Sequence, residues 1–152
     1  MKKHIAYLLL MISSVITTSC KQEQLTPLEQ FLKEQYHYTL NDSIENVLIT
    51  ADRDCITCNR SYALLASQQL NNINFDNTLL VVNTNGASFD ISELITVKHP
   101  NILFDPNATG KDTAFFHSQF YKLDHKQISR LIPINSDSLE GKLEYIYTQI
   151  MK

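Results

Sequence analysis

The chain of 152 residues contains no tryptophan and little glycine or proline, with three Gly and four Pro. It has no glycine-rich phosphate loop, no H-E-x-x-H zinc motif, no G-x-S-x-G nucleophile motif and no carboxylate pair at a recognisable catalytic spacing. These absences argue against nucleotide-binding enzymes, zinc proteases and serine hydrolases. Hydrophobic residues make up 43% of the chain and charged residues 19%. This composition is typical of one folded domain with a hydrophobic core.

Basic residues are also few, and they are not clustered. The chain has 13 Lys and Arg against 16 Asp and Glu, which gives a formal net charge of −3. Nucleic acids and anionic membrane surfaces attract proteins through concentrated positive charge. The charge pattern therefore predicts no nucleic-acid partner and no electrostatic binding to a membrane.

The first nineteen residues have the order of a targeting segment. Lys2 and Lys3 precede an apolar stretch at 5–16 that is too short to span a membrane comfortably. Small residues follow at 17–19, directly before Cys20. This order resembles the signal sequence of a bacterial lipoprotein.

The lipoprotein resemblance implies a signal peptide at 1–19 and a lipidated Cys20 that begins a tether at 20–26. It also implies a cell-envelope location, with a lipid anchor in the outer membrane or on the periplasmic face of a Gram-negative membrane. Removing Lys2 and Lys3 with the signal peptide changes the formal net charge from −3 to −5. An ordinary secretory signal or a short anchor, with Cys20 incidental, is the alternative interpretation.

Two further cysteines, Cys55 and Cys58, lie between a predicted strand and a predicted helix. The strand covers the apolar and β-branched residues 47–50, a polar turn occupies 51–54, and apolar spacing predicts a helix at 61–70. Thiols at a helix N-terminus face unpaired backbone N–H groups and the positive end of the helix dipole, which favour a thiolate. After lipidation of the N-terminal cysteine these two are the only thiols, in a compartment where disulfides persist.

The remaining apolar patterns predict an α/β domain with a mixed sheet. A helix is expected after Thr26, with Pro27 in its first turn and Glu29 completing a capping box. Strands and helices alternate in the rest of the chain, which favours the α/β class. The expected strands are 78–82, 101–104, 119–123 and 128–134, of which the last two form a hairpin. The expected helices are 89–97, 112–117 and a last helix that begins after Ser136 or Ser138.

This order of elements around a C-x-x-C pair resembles the thioredoxin-like superfamily, in its tethered redoxin and TlpA-like branch. The resemblance covers 47–152, with a weaker match at 119–124, Gln-Phe-Tyr-Lys-Leu-Asp. It implies a thioredoxin-like domain at 27–152, with an N-terminal helix and a central mixed β-sheet flanked by helices. It further implies a membrane-anchored extracytoplasmic thiol–disulfide oxidoreductase, with protein thiols and disulfides as substrates, a separate redox partner and no cofactor.

Two positions depart from the family's pattern. Asp54 stands directly before the first cysteine, where the family has Trp or another aromatic residue. His117 and Ser118 stand where the family has a cis-proline, and no proline occurs between Pro106 and Pro133. In the family that loop lies against the C-x-x-C and shapes the substrate groove. The resemblance therefore places the loop of His117 and Ser118 beside the cysteines.

The resemblance implies that Cys55 is the attacking thiol and that Cys58, one turn into the helix, resolves the mixed disulfide. Two alternatives stay open. One is a redox-silent thioredoxin-like binding module in which the disulfide is structural. The other is a carrier of a soft metal such as Cu(I), bound by Cys55, Cys58 and His117, with His99 and His125 as further candidate ligands.

Four charged residues accompany the cysteine pair in the sequence. Asp52 and Asp54 disfavour a thiolate at Cys55 by like-charge repulsion, and Arg53 and Arg60 offset that repulsion. A modest thiolate fraction is therefore expected at Cys55.

Overall fold

In the computed structural model, which describes residues 25–108 and 114–151, the chain forms an α/β domain with a five-stranded mixed sheet flanked by helices. The predicted fold class is confirmed at this level. The strands are β1 (Asn46–Ala51), β2 (Thr78–Asn83), β3 (Ile102–Phe104), β4 (Gln119–Asp124) and β5 (Gln127–Pro133). The helices are α1 (Pro27–Tyr36), α2 (Ile56–Gln69), α3 (Ser92–Thr96) and α4 (Leu139–Ile150), with a 3₁₀ turn at Ala114–Phe116.

Strand β1 lies at the centre of the sheet, whose order is β3-β2-β1-β4-β5. It runs parallel to β2, which runs parallel to β3, and antiparallel to β4, which forms a hairpin with β5. Within β1, Leu48 lies opposite Leu80 of β2 and Phe120 of β4. Strand β1 is therefore hydrogen-bonded along both edges.

The two faces of β1 belong to different cores. Leu48 packs in the core that α2, α3 and α4 cover, whereas Val47 and Ile49 pack in the core under α1. Every residue of β1 and of β2 is buried. Because both faces of these strands are covered, their sequences are nearly continuous apolar runs and do not alternate between apolar and polar residues.

Helix α1 begins with the predicted capping box. The hydroxyl of Thr26 accepts a hydrogen bond from the backbone N–H of Glu29 at 3.2 Å, and the Glu29 carboxylate accepts one from the backbone N–H of Thr26 at 2.8 Å. The inner face of the helix buries Leu28 and Leu32 completely. The helix ends at His37, whose backbone is left-handed with φ 53°.

The helix that follows the cysteines starts earlier than predicted. Helix α2 begins at Ile56, five residues before the predicted start at position 61, and Cys55 is its N-cap. The sulfur of Cys55 accepts a hydrogen bond from the backbone N–H of Cys58, which satisfies a donor of the first turn. Since this turn carries no apolar spacing, hydrophobic periodicity did not reveal it.

Three other helices differ from the prediction in detail. Helix α3 occupies only Ser92–Thr96 of the predicted 89–97, because the buried Phe89 and Ile91 lie in an irregular segment before it. Ser138 precedes α4 as predicted, but its backbone is left-handed and its side chain makes no capping hydrogen bond. The described part of the helix predicted at 112–117 contains a 3₁₀ turn, Ala114–Phe116. Positions 112 and 113 of that prediction lie outside the described residues.

The predicted N-terminal features also lie outside the described residues. They are the signal peptide at 1–19, Cys20 and the tether as far as position 24. No helix in the described part of the chain is long and apolar enough to cross a membrane.

The substitution Leu32→Ala is expected to lower the free energy of unfolding by about 2–5 kcal/mol, because it empties a fully buried position between α1 and the sheet. The matched control is Lys33→Ala at the neighbouring exposed position, with an expected change of about 0.5 kcal/mol or less. Urea unfolding followed by circular dichroism measures both. Equal effects would contradict the docking of α1 on the sheet.

Candidate redox site

The two cysteines lie at the carboxyl end of the central strand. Strand β1 ends at Ala51, three residues form a turn, and Cys55 then caps α2 in an extended conformation with φ −77° and ψ 94°. Cys55 and Cys58 are joined by a disulfide, with their Cα atoms 5.2 Å apart. The structure thus brings the two predicted redox residues together at the first turn of a helix.

One backbone N–H group of the first turn faces the sulfur of Cys55. The N–H of Cys58 donates to this sulfur at 3.3 Å, whereas the N–H of Asn59 makes a helical hydrogen bond with the carbonyl oxygen of Cys55 at 2.9 Å. The N–H of Cys58 and the positive end of the α2 dipole stabilise negative charge on the sulfur when the disulfide is reduced. Cys55 is half-buried whereas Cys58 is only 2% exposed. An incoming sulfur atom can therefore reach Cys55 and not Cys58.

Asp54 and His117 form a contact at the solvent-exposed edge of the site. Asp54 has a left-handed backbone with φ 66°, which is uncommon for a residue with a side chain. Its Oδ2 atom lies 2.5 Å from Nδ1 of His117, and their side chains are 63% and 36% exposed. This contact joins the residue directly before Cys55 to the loop directly before β4.

Ser118 fixes the same loop to the end of β1. Its buried hydroxyl accepts a hydrogen bond from the N–H of Ala51 at 2.9 Å and donates one to the carbonyl oxygen of Ala51 at 3.1 Å. No cis peptide bond occurs in the described residues, so this loop has a trans backbone at His117 and Ser118. The side chain of Ser118 therefore holds the loop beside the turn that carries Cys55.

Asp52 is tied to the neighbouring strand. Its Oδ2 atom accepts a hydrogen bond from the hydroxyl of Thr84, which itself accepts one from the N–H of Gly86 at 3.0 Å. The Oδ1 atom of Asp52 is buried and has no hydrogen-bond partner among the described residues. The sequence identified Asp52 only as a negative charge near Cys55. Its contact with Thr84 could not be predicted, because it depends on the pairing of β1 with β2.

Asn59 is a buried polar residue directly after Cys58. Its side-chain amide donates to the carbonyl oxygen of Arg53 at 2.6 Å, while its Oδ1 atom is buried without a partner in the described part of the chain. The contact ties the first turn of α2 to the turn at 52–54. The sequence analysis missed Asn59. The signal that could have identified it is a polar residue at a helix position whose side chain faces the core.

Tyr62 connects α2 to β4 beneath the disulfide. Its hydroxyl donates to the carbonyl oxygen of Gln119 at 3.1 Å, and its side chain is fully buried. Burial, with a smaller contribution from Tyr121, raises the pKa of Tyr62 well above its ordinary value. Tyr62 therefore stays a neutral hydrogen-bond donor and holds α2 against the strand that follows Ser118.

The described residues do not assemble the alternative metal site of Cys55, Cys58 and His117. No three His, Cys, Asp or Glu side chains within them lie close enough together to hold a metal ion. His99 precedes β3, where its Nδ1 atom accepts from the N–H of Asn101 at 3.1 Å and its ring packs on Phe75. His125 lies in the exposed turn between β4 and β5. Both histidines are thus at the opposite end of the sheet from the carboxyl end of β1.

The substitution Ser118→Ala is expected to lower the free energy of unfolding by about 1–3 kcal/mol, since it leaves the N–H and carbonyl of Ala51 without partners in a buried place. Ser136→Ala, at an exposed position, is the control, with an expected change of about 0.5 kcal/mol or less. Thermal and urea unfolding of both variants measure the difference. An unchanged stability for Ser118→Ala would mean that the loop is not held by this side chain.

Comparison with other proteins adds no relative. The chain matches no family model, no curated protein and no solved structure. The functional assignment therefore depends on the geometry of this site and on the residues that form it.

Proposed function

We propose that this protein is a membrane-anchored, extracytoplasmic thiol–disulfide oxidoreductase with a thioredoxin-like fold. The observation that carries the proposal is the disulfide between Cys55 and Cys58 at the N-terminus of α2, with the first cysteine accessible and the second buried. This asymmetry suits a pair in which one sulfur meets the partner and the other completes the reaction.

The sheet is compatible with the proposed fold. Its order, β3-β2-β1-β4-β5, combines two parallel neighbours on one side of β1 with an antiparallel hairpin on the other. The cysteines follow the central strand, and the loop before β4 contacts the same turn through His117 and Ser118. Both features agree with the arrangement that the sequence resemblance implies.

The reaction proceeds through two exchange steps. In the reducing direction, the Cys55 thiolate attacks one sulfur of a substrate disulfide, forms a mixed disulfide and releases the other substrate sulfur as a thiolate, which takes up a proton. The Cys58 thiol then loses its proton and attacks the Cys55 sulfur, which breaks the mixed disulfide and frees the second substrate thiol. The substrate gains two electrons and the protein keeps the Cys55–Cys58 disulfide. A partner dithiol restores the reduced pair by the reverse sequence.

The proposed location supports this chemistry. The lipoprotein resemblance at Cys20 favours attachment to the cell envelope, in the outer membrane or on the periplasmic face of a Gram-negative membrane. Disulfides form and persist in that compartment, so both redox states of the pair are accessible there. Protein thiols and disulfides of the envelope are the proposed substrates.

The redox proposal is tested with the full chain carrying Cys20→Ser, in which Cys55 and Cys58 are the only thiols. In a series of glutathione mixtures the pair is expected to change between disulfide and dithiol in a single two-electron transition. Mass spectrometry after acid quenching measures the two forms.

Variants of the two cysteines separate their roles. Cys58→Ser is expected to form a stable mixed disulfide with glutathione through the accessible Cys55, whereas Cys55→Ser is expected to react at least about tenfold more slowly because Cys58 is buried. Equal reactivity of the two variants, or a disulfide that resists reduction in every mixture, would favour a redox-silent binding module instead.

A further inference from the structure

The residue directly before Cys55 is acidic and lies at the surface. The side chain of Asp54 is 63% exposed. Because the Cα atoms of neighbouring residues are about 3.8 Å apart, its carboxylate lies within about 9 Å of the Cys55 sulfur in any rotamer. A partner sulfur that bonds to Cys55 adds only about 2 Å to this distance. The charge of Asp54 therefore lies close to the residues that flank the partner's reacting sulfur.

Asp54 is held in a defined position. Its backbone is left-handed, with φ 66°, and its Oδ2 atom lies 2.5 Å from Nδ1 of His117. The residue after that histidine, Ser118, is hydrogen-bonded to the backbone of Ala51. The carboxylate is thus connected to the end of β1 along the chain and also through His117. A side chain that is held in this way loses little conformational entropy when it pairs with a partner.

One oxygen of this carboxylate is available to a partner. Because a carboxylate only accepts hydrogen bonds, Nδ1 of His117 donates the proton in their contact. The contact uses Oδ2, whereas Oδ1 of Asp54 makes no hydrogen bond with any of the described residues. When the imidazole is neutral, the pair keeps one net negative charge. A cation of the partner can therefore approach Oδ1 while His117 retains Oδ2.

The other charged residues near the cysteines are placed differently. Asp52 has one carboxylate oxygen bonded to a threonine hydroxyl and the other oxygen buried. Arg60 lies five residues beyond the first cysteine, so at about 100° per residue its side chain points about 140° away around α2. Arg53 is half-buried and makes contacts of its own. Asp54 is therefore the exposed charge that flanks the accessible sulfur.

The charge of Asp54 acts over the distance at which a partner residue would lie. The Debye length is about 10 Å at 0.1 M ionic strength and about 30 Å at 0.01 M. A side chain next to the partner's cysteine falls within this range when the two sulfur atoms meet. A lysine or arginine there is attracted to Asp54, and an aspartate or glutamate is repelled.

We propose that Asp54 is a specificity-determining residue that directs exchange at Cys55 toward partner proteins with lysine or arginine beside the reacting cysteine. The partner's cation pairs with Oδ1 of Asp54, and His117 positions the carboxylate for this contact. The inference rests on the proposed exchange at Cys55 and names the class of disulfide that this exchange favours. It follows from the adjacency of Asp54 to the accessible sulfur and from the contact that fixes its carboxylate.

The test uses the full chain carrying Cys20→Ser and Cys58→Ser, in which Cys55 is the only thiol. The peptides G-K-C-K-G, G-Q-C-Q-G and G-E-C-E-G, with blocked ends, are supplied as mixed disulfides with thionitrobenzoate at low ionic strength. The Cys55 thiolate attacks the peptide sulfur, the bond to the aromatic sulfur breaks, and the released aromatic thiolate is followed by its absorbance. Each rate is divided by the rate at which mercaptoethanol reacts with the same conjugate.

The lysine peptide is expected to react about three- to tenfold faster than the glutamate peptide, with the glutamine peptide between them. The ratio of the lysine rate to the glutamate rate is expected to fall toward one in about 1 M salt, where the Debye length is about 3 Å. This salt dependence separates an electrostatic preference from a difference in how the peptides pack against the protein.

Variants assign the preference to Asp54. Asp54→Asn is expected to lower the ratio to about one, because asparagine tolerates the left-handed backbone and still accepts from His117 but carries no charge. His117→Ala is expected to lower the ratio by about half, because the carboxylate is no longer held in place. Asp42→Asn removes an exposed charge before the other end of β1 and is expected to leave the ratio unchanged.

Equal rates for the lysine and glutamate peptides, with normal reaction of the glutamine peptide, would overturn this inference and leave the exchange at Cys55 intact. The same conclusion follows if the ratio in Asp54→Asn equals the ratio in the parent protein. A Cys55 thiol that reacts with none of the conjugates would overturn the proposed function together with the role of Asp54.

Discussion

The candidate site depends on the burial of strand β1. Both edges of this strand are hydrogen-bonded, to β2 and to β4, and both faces are covered by separate cores. Its carboxyl end at Ala51 therefore cannot move without disrupting the sheet, and the disulfide follows after a turn of three residues. Because Cys55 is positioned by this rigid element and by the first turn of α2, the proposed exchange of sulfur partners would require no rearrangement of the core.

The loop before β4 is attached to the site by two contacts of different character. The hydroxyl of Ser118 pairs with the backbone of Ala51 in a buried place, while His117 meets Asp54 at the surface. In the thioredoxin-like fold proposed for this chain, a cis-proline shapes the corresponding loop. Here the buried hydrogen bonds of Ser118 attach the loop to the end of β1, and the exposed contact of His117 with Asp54 adds a second link at the surface.

The sequence predicted those features that depend on local pattern. The apolar and β-branched run at 47–50, the capping box of Thr26 and Glu29, and the position of the thiols at the N-terminus of a helix are all properties of neighbouring residues. The hydrogen bonds of Ser118 with Ala51, across 67 positions, depend on which strands pair, and hydrophobic periodicity does not contain that information. The early start of α2 was missed for a local reason, since its first turn is capped by a sulfur and includes no apolar repeat.

The surroundings of Cys55 are less unfavourable for a thiolate than the sequence indicated. Both acidic neighbours have partners, Asp52 in the hydroxyl of Thr84 and Asp54 in the imidazole of His117, so part of their repulsion is compensated. The N-terminus of α2 also attracts negative charge on the Cys55 sulfur. The partnered carboxylates and the helix N-terminus therefore act in the same direction, and both favour a thiolate at Cys55 when the disulfide is reduced.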